Sequence, residues 1–88
     1  MIKNYYFTYG SWVGFPYQNG WTKIEATSRR AAIAIFRDLH PDRTEGIVNC
    51  SMIYDEEQFH KTEMWRTGNR GAHEVEVVLM QHINTNPF

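Results

Sequence analysis

The amino-acid sequence predicts a small α+β domain with its elements in the order β β α β α β. Four stretches carry the alternation, or the aromatic and β-branched residues, typical of strands, and one carries the spacing of an amphipathic helix. Eighty-eight residues are enough for one hydrophobic core and too few for two. We therefore expect residues 1–88 to form a single domain, a mostly antiparallel four-stranded sheet with one long helix on one face and a second, short helix.

The first two strands are predicted on either side of a Gly-, Pro- and Asn-rich loop at residues 10–20. Residues 2–9 alternate as one strand, whose inner face carries Tyr5, Phe7 and Tyr9. Trp21–Ala26 follows as the second strand, antiparallel to the first because the connection is short. Trp21 then lies either on the outer face of this strand or in the turn that closes the loop.

A helix is predicted from an N-cap at Thr27 or Ser28 through Leu39. Its apolar stripe, at the spacing of a helix that lies on a sheet, consists of Ala31, Ala32, Ile35, Phe36 and Leu39. Pro41 ends the helix, because proline disfavours helical geometry in the residue before it.

Residues 47–54 are predicted as a third strand, and because both of its faces are partly apolar we expect it to be central in the sheet. One face carries Val48, Cys50, Met52 and Tyr54. Asp55 and Gln58 have the spacing of a capping box and open a short helix that ends near Lys61 or Met64.

Residues 73–80 are predicted as the last strand, after a Gly and Asn loop at residues 67–72. Its inward residues are expected to be Val75, Val77 and Leu79. Glu74 and Glu76 then form a solvated outer face. The tail, residues 81–88, is expected to be flexible.

Composition narrows the classes of function. A formal net charge of −1 makes nucleic-acid binding unlikely. The single cysteine, Cys50, and the lack of a secretory leader predict a cytoplasmic protein, and no apolar run is long enough for a membrane span. The histidines and Cys50 are too widely spaced to predict a metal site, and no cofactor is expected.

The aromatic residues of the loop are the main candidate site. Because so small a core cannot cover all of them, we expect some to form a recognition surface; the alternative is a minicore beneath the loop. These residues are Trp12, Phe15, Tyr17 and Trp21. Charged and polar residues expected to assist binding are Arg43, Glu56, Glu57, Asn69 and Arg70.

The tripeptide HPD at residues 40–42 is also the signature of J-domain cochaperones. Those domains are all-helical, whereas here a strand is predicted to follow. We therefore interpret residues 40–43 as a helix-stopping turn in which Asp42 can pair with Arg43.

Several segments together resemble a group of small uncharacterised proteins of phages, plasmids and other mobile elements, mainly of Gram-positive bacteria. The segments are YYFTYG, FPYQNGW, HPDR, GIVNCSMIY, EEQFHKT and GNRGAHEV, and the resemblance covers residues 3–77. The group itself indicates no particular activity, but a small, single-domain protein of the bacterial host's cytoplasm without a complete set of catalytic residues fits an inhibitor of a host antiviral defence protein, of the anti-CRISPR type. The partner is then a host protein, such as a nucleic-acid-handling defence complex, that meets the aromatic loop and the acidic helix start.

Two other functions remain open at this point. In the first, the loop aromatics stack on a nucleotide-like small ligand whose polar groups are held by Arg43, Asn69 or Arg70. In the second, Cys50 acts with a histidine as the nucleophile of an enzyme. A buried, inert cysteine is the simpler interpretation of an apolar position in a strand.

Overall fold

The computed structural model describes residues 1–66 and 75–79. Its seven elements are β1 (Lys3–Thr8), β2 (Trp21–Ala26), α1 (Arg29–Leu39), β3 (Met52–Asp55), α2 (Glu56–Phe59), α3 (Glu63–Arg66) and β4 (Val75–Leu79). The four strands form one sheet in the order β3-β1-β2-β4. The predicted α+β class is thus confirmed, with two short helices where one was expected. No helix in the described ranges is long and apolar enough to span a membrane.

The sheet is mixed, which corrects the expectation of a mostly antiparallel one. β1 is antiparallel to both β2 and β3, but β4 runs parallel to β2, pairing Trp21 with Val75 and Glu25 with Leu79. A short turn forces the strands it joins to be antiparallel. β2 and β4 are far apart in the sequence, so no turn sets their relative direction.

The main core lies between α1 and the sheet, as the apolar stripe predicts. Ser28 caps the helix by accepting a hydrogen bond from the backbone N–H of Ala31 at 3.0 Å. Phe36 stacks on Phe7 with ring centroids 4.4 Å apart, and both side chains are fully buried. The other buried members of this core are Tyr5, Tyr9, Ile24, Ala26, Ala32 and Ile35.

A second, smaller core lies on the opposite face of the sheet, under α2 and α3. Phe59 stacks flat on Tyr6 at 4.0 Å, and Trp21 meets both rings edge-on. Trp21 is therefore on the outer face of β2, one of the two predicted positions, but it is covered there and only 8 % exposed. Its indole N–H has no hydrogen-bond partner among the described residues.

The third strand is shorter than predicted and lies at the edge of the sheet. Only Met52–Asp55 pairs with β1. The preceding residues form turns, with Ile47 bridged to Thr44 and the Cys50 N–H bonded to the Val48 carbonyl. Val48 and Cys50 pack against the main core from these turns, which explains why a central strand was wrongly predicted here.

Two of the outward-facing backbone groups of β3 are occupied by side chains. Arg29 donates from Nη2 to the Ile53 carbonyl at 3.2 Å, and the Asp55 N–H donates to Gln58 Oε1 at 3.0 Å. The second contact is half of the predicted capping box, and Asp55 Oδ1 accepts from the Gln58 N–H at 2.7 Å in the other half. These contacts obstruct the addition of a further strand at the β3 edge.

The inward face of β4 is the reverse of the predicted one. Val77 is 58 % exposed, whereas Val78 packs against the main core. Glu76 lies on the α1 side of the sheet, opposite Thr22, and is not part of a solvated face. Because residues 77, 78 and 79 are all apolar, either face of β4 could turn inward. The observed face is the one that gives Glu76 its hydrogen-bond partners. Glu74, the loop at residues 67–72 and the tail fall outside the described residues.

Candidate functional site

The candidate site is the loop-end surface, formed by residues 9–20 and the segments that pack beside them. The loop is closed at its base, where the Tyr9 N–H bonds the Gly20 carbonyl at 3.3 Å and the Asn19 N–H bonds the Gly10 carbonyl. Gly10 and Asn19 both have left-handed backbone, with φ of 59° and 61°. Glycine and asparagine adopt this conformation at the lowest cost, so local sequence fixes the base of the loop.

Two of the loop aromatics form the minicore that was the alternative prediction. Phe15 and Tyr17 are partly buried and pack on Tyr9, with ring centroids 6.5 and 5.4 Å from it. Tyr17 also meets the His40 ring edge-on at 5.7 Å. These two side chains hold the loop against the end of the main core.

Trp12 is the loop aromatic that faces outward. Its side chain is 54 % exposed, and the neighbouring Val13 is 81 % exposed. The indole ring folds back over Gly14, where a Cβ atom would lie 2.2 Å from the ring, and Phe15 meets it edge-on at 4.8 Å. Trp12 is therefore an exposed aromatic side chain held in one position by its own loop.

Arg43 joins the loop from the turn that follows α1. Its Nη1 donates to the Gly14 carbonyl at 2.9 Å, and its guanidinium carbon lies 5.9 Å from the centre of the Trp12 ring. The structure thus brings two predicted site residues together. Asp42 does not pair with Arg43, as the sequence suggested, but with Arg37, one turn back on α1, at 3.0 Å.

The turn at residues 40–43 also reaches β4. His40 Nε2 lies 2.7 Å from Glu76 Oε2, and the same carboxylate oxygen accepts a hydrogen bond from Thr22 Oγ1 at 3.3 Å. Thr22 is fully buried and bonds in turn to the Tyr9 hydroxyl. Burial is the main cause that raises the pKa of Tyr9 above its usual range. A polar network therefore runs from the helix end to β1, directly beneath the loop.

Sequence reasoning missed this network. One signal was present: Thr22 shares the inward face of β2 with Ile24 and Ala26, and a buried hydroxyl requires a partner. The identity of that partner depended on the register of β4.

The acidic residues of the predicted site lie away from Trp12. Glu56 accepts hydrogen bonds from Asn4 at 2.8 Å and Tyr6 at 3.1 Å, and pairs with His60 at 2.7 Å. Asn4 is near the start of β1, whereas the loop follows its end, so the two regions are separated by the length of the strand. The structure therefore does not join Glu56 and the exposed Glu57 to the aromatic loop.

The pKa of Glu56 reflects these contacts. Partial burial raises it, but the hydrogen bonds from Asn4 and Tyr6 and the nearby His60 and Lys23 outweigh burial and hold it below its ordinary value. Burial, followed by the Glu56 charge, raises the pKa of Tyr6 to about 12. These shifts describe a structural carboxylate that stays ionised at neutral pH.

A basic strip on α1 contrasts with this acidic region. Arg29, Arg30 and Arg37 line a cleft of about 610 Å³ with Ile33 and Ala34 between them. Arg37 and Arg29 are engaged by Asp42 and the Ile53 carbonyl. The net charge of −1 thus conceals local surfaces of opposite sign on different elements.

Cys50 has the environment of a packing residue. It lies against the main core, and burial raises its pKa to about 11. A thiol with that pKa carries very little thiolate at neutral pH, which disfavours a nucleophilic role. Asn69 and Arg70 lie outside the described residues. Within the described ranges, no three His, Cys, Asp or Glu side chains are grouped so that they could hold a metal ion.

Comparisons of the chain with protein-family models, with curated proteins and with solved structures found no match.

Proposed function

We propose that this protein acts by binding another protein through the loop-end surface, with Trp12 as the central contact. The observation that carries the proposal is the fixed, half-exposed indole of Trp12 between Phe15 and Arg43. Tryptophan and arginine are the residues most enriched where truncation costs the most binding energy. An aromatic side chain that is already fixed loses little conformational entropy when it binds.

The resemblance to phage and mobile-element proteins directs the search for the partner to host antiviral defence proteins. In that role the protein inhibits by occupying a surface of its target. The acidic residues Glu56 and Glu57 are then a separate contact region, since they lie at the other end of β1 from the loop.

A small-ligand function receives less support from the geometry. The cleft beside the loop is lined by Thr8, Gly10, Asn19, Ser51, Met52, Tyr54 and Met64 and has a volume of about 230 Å³. Ligand pockets usually measure roughly 300–1,000 Å³ and are more enclosed. None of the predicted aromatic ligands of a nucleotide base lines this cleft.

The test is affinity capture from a bacterial host lysate with three baits: the wild type, Trp12→Ala and Trp65→Ala. Trp65 is a matched control because it is also an exposed tryptophan, 42 % exposed, but lies on α3 across the sheet from α1. We expect a host protein that the wild type and Trp65→Ala retain and Trp12→Ala loses.

The affinity for the captured protein is then measured by calorimetry. We expect Trp12→Ala to weaken it by about 2 kcal/mol or more, roughly thirtyfold. Equal capture by all three baits, with Trp12→Ala folded, would contradict the proposal.

A further inference from the structure

We propose that the outer edge of β4 is a dimerisation surface, to which a second copy of this chain adds its own β4 in the antiparallel direction. The two sheets then become one continuous sheet. This surface is separate from Trp12 and Arg43, and the inference does not depend on the function proposed above.

The first observation is that the two edges of the sheet are treated differently. On β3, side chains of Arg29 and Gln58 occupy the Ile53 carbonyl and the Asp55 N–H. Among the described residues no side chain makes such a contact with the backbone of β4. Proteins usually protect edge strands against pairing with another chain, so this difference between the described contacts of the two edges favours a pairing role for β4.

The side chains of β4 give the second observation. Val77, at its centre, is 58 % exposed, and residues 76–79 are all at least partly exposed, whereas most of β2 is buried. Glu76 is the one charged residue of the strand, and its carboxylate is held by His40 and Thr22. No free charge on β4 therefore opposes a second strand.

The backbone of Val77 also points the right way. The Gly20 carbonyl accepts a hydrogen bond from the Tyr9 N–H, on the β1 side of β2. Backbone groups of successive strand residues point to alternate sides, so those of Lys23, three residues later, point towards β4. Lys23 is paired with Val77 in a parallel ladder, where a residue bonds to the two neighbours of its partner. The N–H and C=O of Val77 itself are thus directed outward, to the position of an added strand.

A twofold axis beside Val77 gives an acceptable register. It sets Val77 opposite the partner's Val77, Glu76 opposite the partner's Val78, and residue 75 opposite residue 79. Valine pairs suit antiparallel strands, and the two Glu76 carboxylates do not face each other. Since the strand has five residues, the contact is smaller than a standard interface, and we expect a dimer that dissociates in the micromolar range.

The test is sedimentation velocity of the full chain from low micromolar to near-millimolar concentration. We expect a concentration-dependent monomer–dimer equilibrium for the wild type. Val77→Lys places two ammonium groups opposite each other and should weaken the dimer at least tenfold (roughly 1.4 kcal/mol). Met52→Lys is the matched control, because Met52 is 51 % exposed on the closed β3 edge, and it should leave the equilibrium unchanged.

Cross-linking identifies the strand that pairs. With Cys50 replaced by alanine, Val77→Cys should be joined into a covalent dimer by a short bifunctional thiol reagent, because opposed residues of antiparallel strands have Cβ atoms about 4.5–5.5 Å apart, somewhat farther than a disulfide prefers. Met52→Cys in the same background should stay monomeric. A wild type that remains monomeric at every concentration, or a dimer that Val77→Lys leaves intact, would overturn the proposal.

Discussion

The Nε2 atom of His40 lies 2.7 Å from Oε2 of Glu76, which links the last turn of the long helix to an edge strand 36 residues further along the chain. Thr22 bonds the same oxygen and is itself fully buried. This contact lies directly beneath the loop-end surface. Tyr17 packs on both Tyr9 and His40 and so connects the His40–Glu76 contact to the loop.

We predict that Glu76→Ala lowers the free energy of unfolding by about 1–3 kcal/mol, because it leaves the buried Thr22 hydroxyl and the His40 ring without their acceptor. Urea unfolding measures the change. Glu25→Ala is the control, since the ion pair of Glu25 within residues 1–66 and 75–79 is a long one of 3.9 Å with Lys23, and such pairs contribute about 0–1 kcal/mol. Equal effects of the two changes would show that the network contributes nothing specific.

Gly14→Ala should move the Trp12 ring without unfolding the chain. The added Cβ would lie 2.2 Å from the indole, which is a side chain and can turn away, and Gly14 does not have left-handed backbone. The chain has three tryptophans, so an NMR spectrum shows three indole N–H signals. We expect the Trp12 signal, identified by its loss in Trp12→Ala, to shift strongly, while those of Trp21 and Trp65 stay in place.

The same substitution tests whether the position of Trp12 matters for binding. If the fixed indole is the central contact, Gly14→Ala should weaken capture of the partner nearly as much as Trp12→Ala. Unchanged capture with a displaced ring would show that the partner does not need the observed position.

Acid should destabilise the protein partly through Glu56. Its pKa in the folded chain lies below the ordinary value of 4.5, so its contribution to stability is complete above pH 4.5 and is lost as the pH falls through the folded value. Thermal unfolding measured from pH 7 downwards should therefore show a smaller acid loss for Glu56→Gln than for the wild type. Glu57→Gln, at the next, exposed position, should follow the wild type.

Cys50 should react slowly while the protein is folded. Its pKa of about 11, raised from 9.0 by burial, predicts a thiolate fraction roughly 100-fold lower near pH 8 than in the unfolded chain. Alkylation by iodoacetamide with and without urea measures the ratio. If the folded protein were alkylated as fast as the unfolded chain, or faster, Cys50 would again be a candidate nucleophile.

Local sequence rules predicted the elements that depend on neighbours in the chain. β2 has the expected bounds, α1 begins after the Ser28 cap, and the capping box of Asp55 and Gln58 is formed. In each case the interacting groups lie within a few residues of one another. For the loop aromatics the sequence left a recognition surface and a minicore as alternatives, and it did not indicate that Trp12 is exposed while Phe15 and Tyr17 pack on Tyr9.

The errors arose where the decisive contact is distant in sequence. Glu76 alternates like a solvent-facing residue, and nothing near it in the chain reveals that its carboxylate bonds to His40 and Thr22 on the inner face. Trp21 could not be separated from the loop aromatics without knowing that Phe59 covers the other face of the sheet. The position of β3 at an edge likewise depends on which strand pairs with β1.

If two copies of this chain pair through β4, the contact between Arg29 and the Ile53 carbonyl obstructs the addition of a further strand at the opposite edge of the sheet. A molecule that has paired through β4 has only its β3 edge left, and that edge is obstructed. Growth by strand addition then stops at two copies and cannot continue into a fibre. The contacts of Arg29 and Gln58 with β3 would thereby protect a protein with an exposed strand from aggregation.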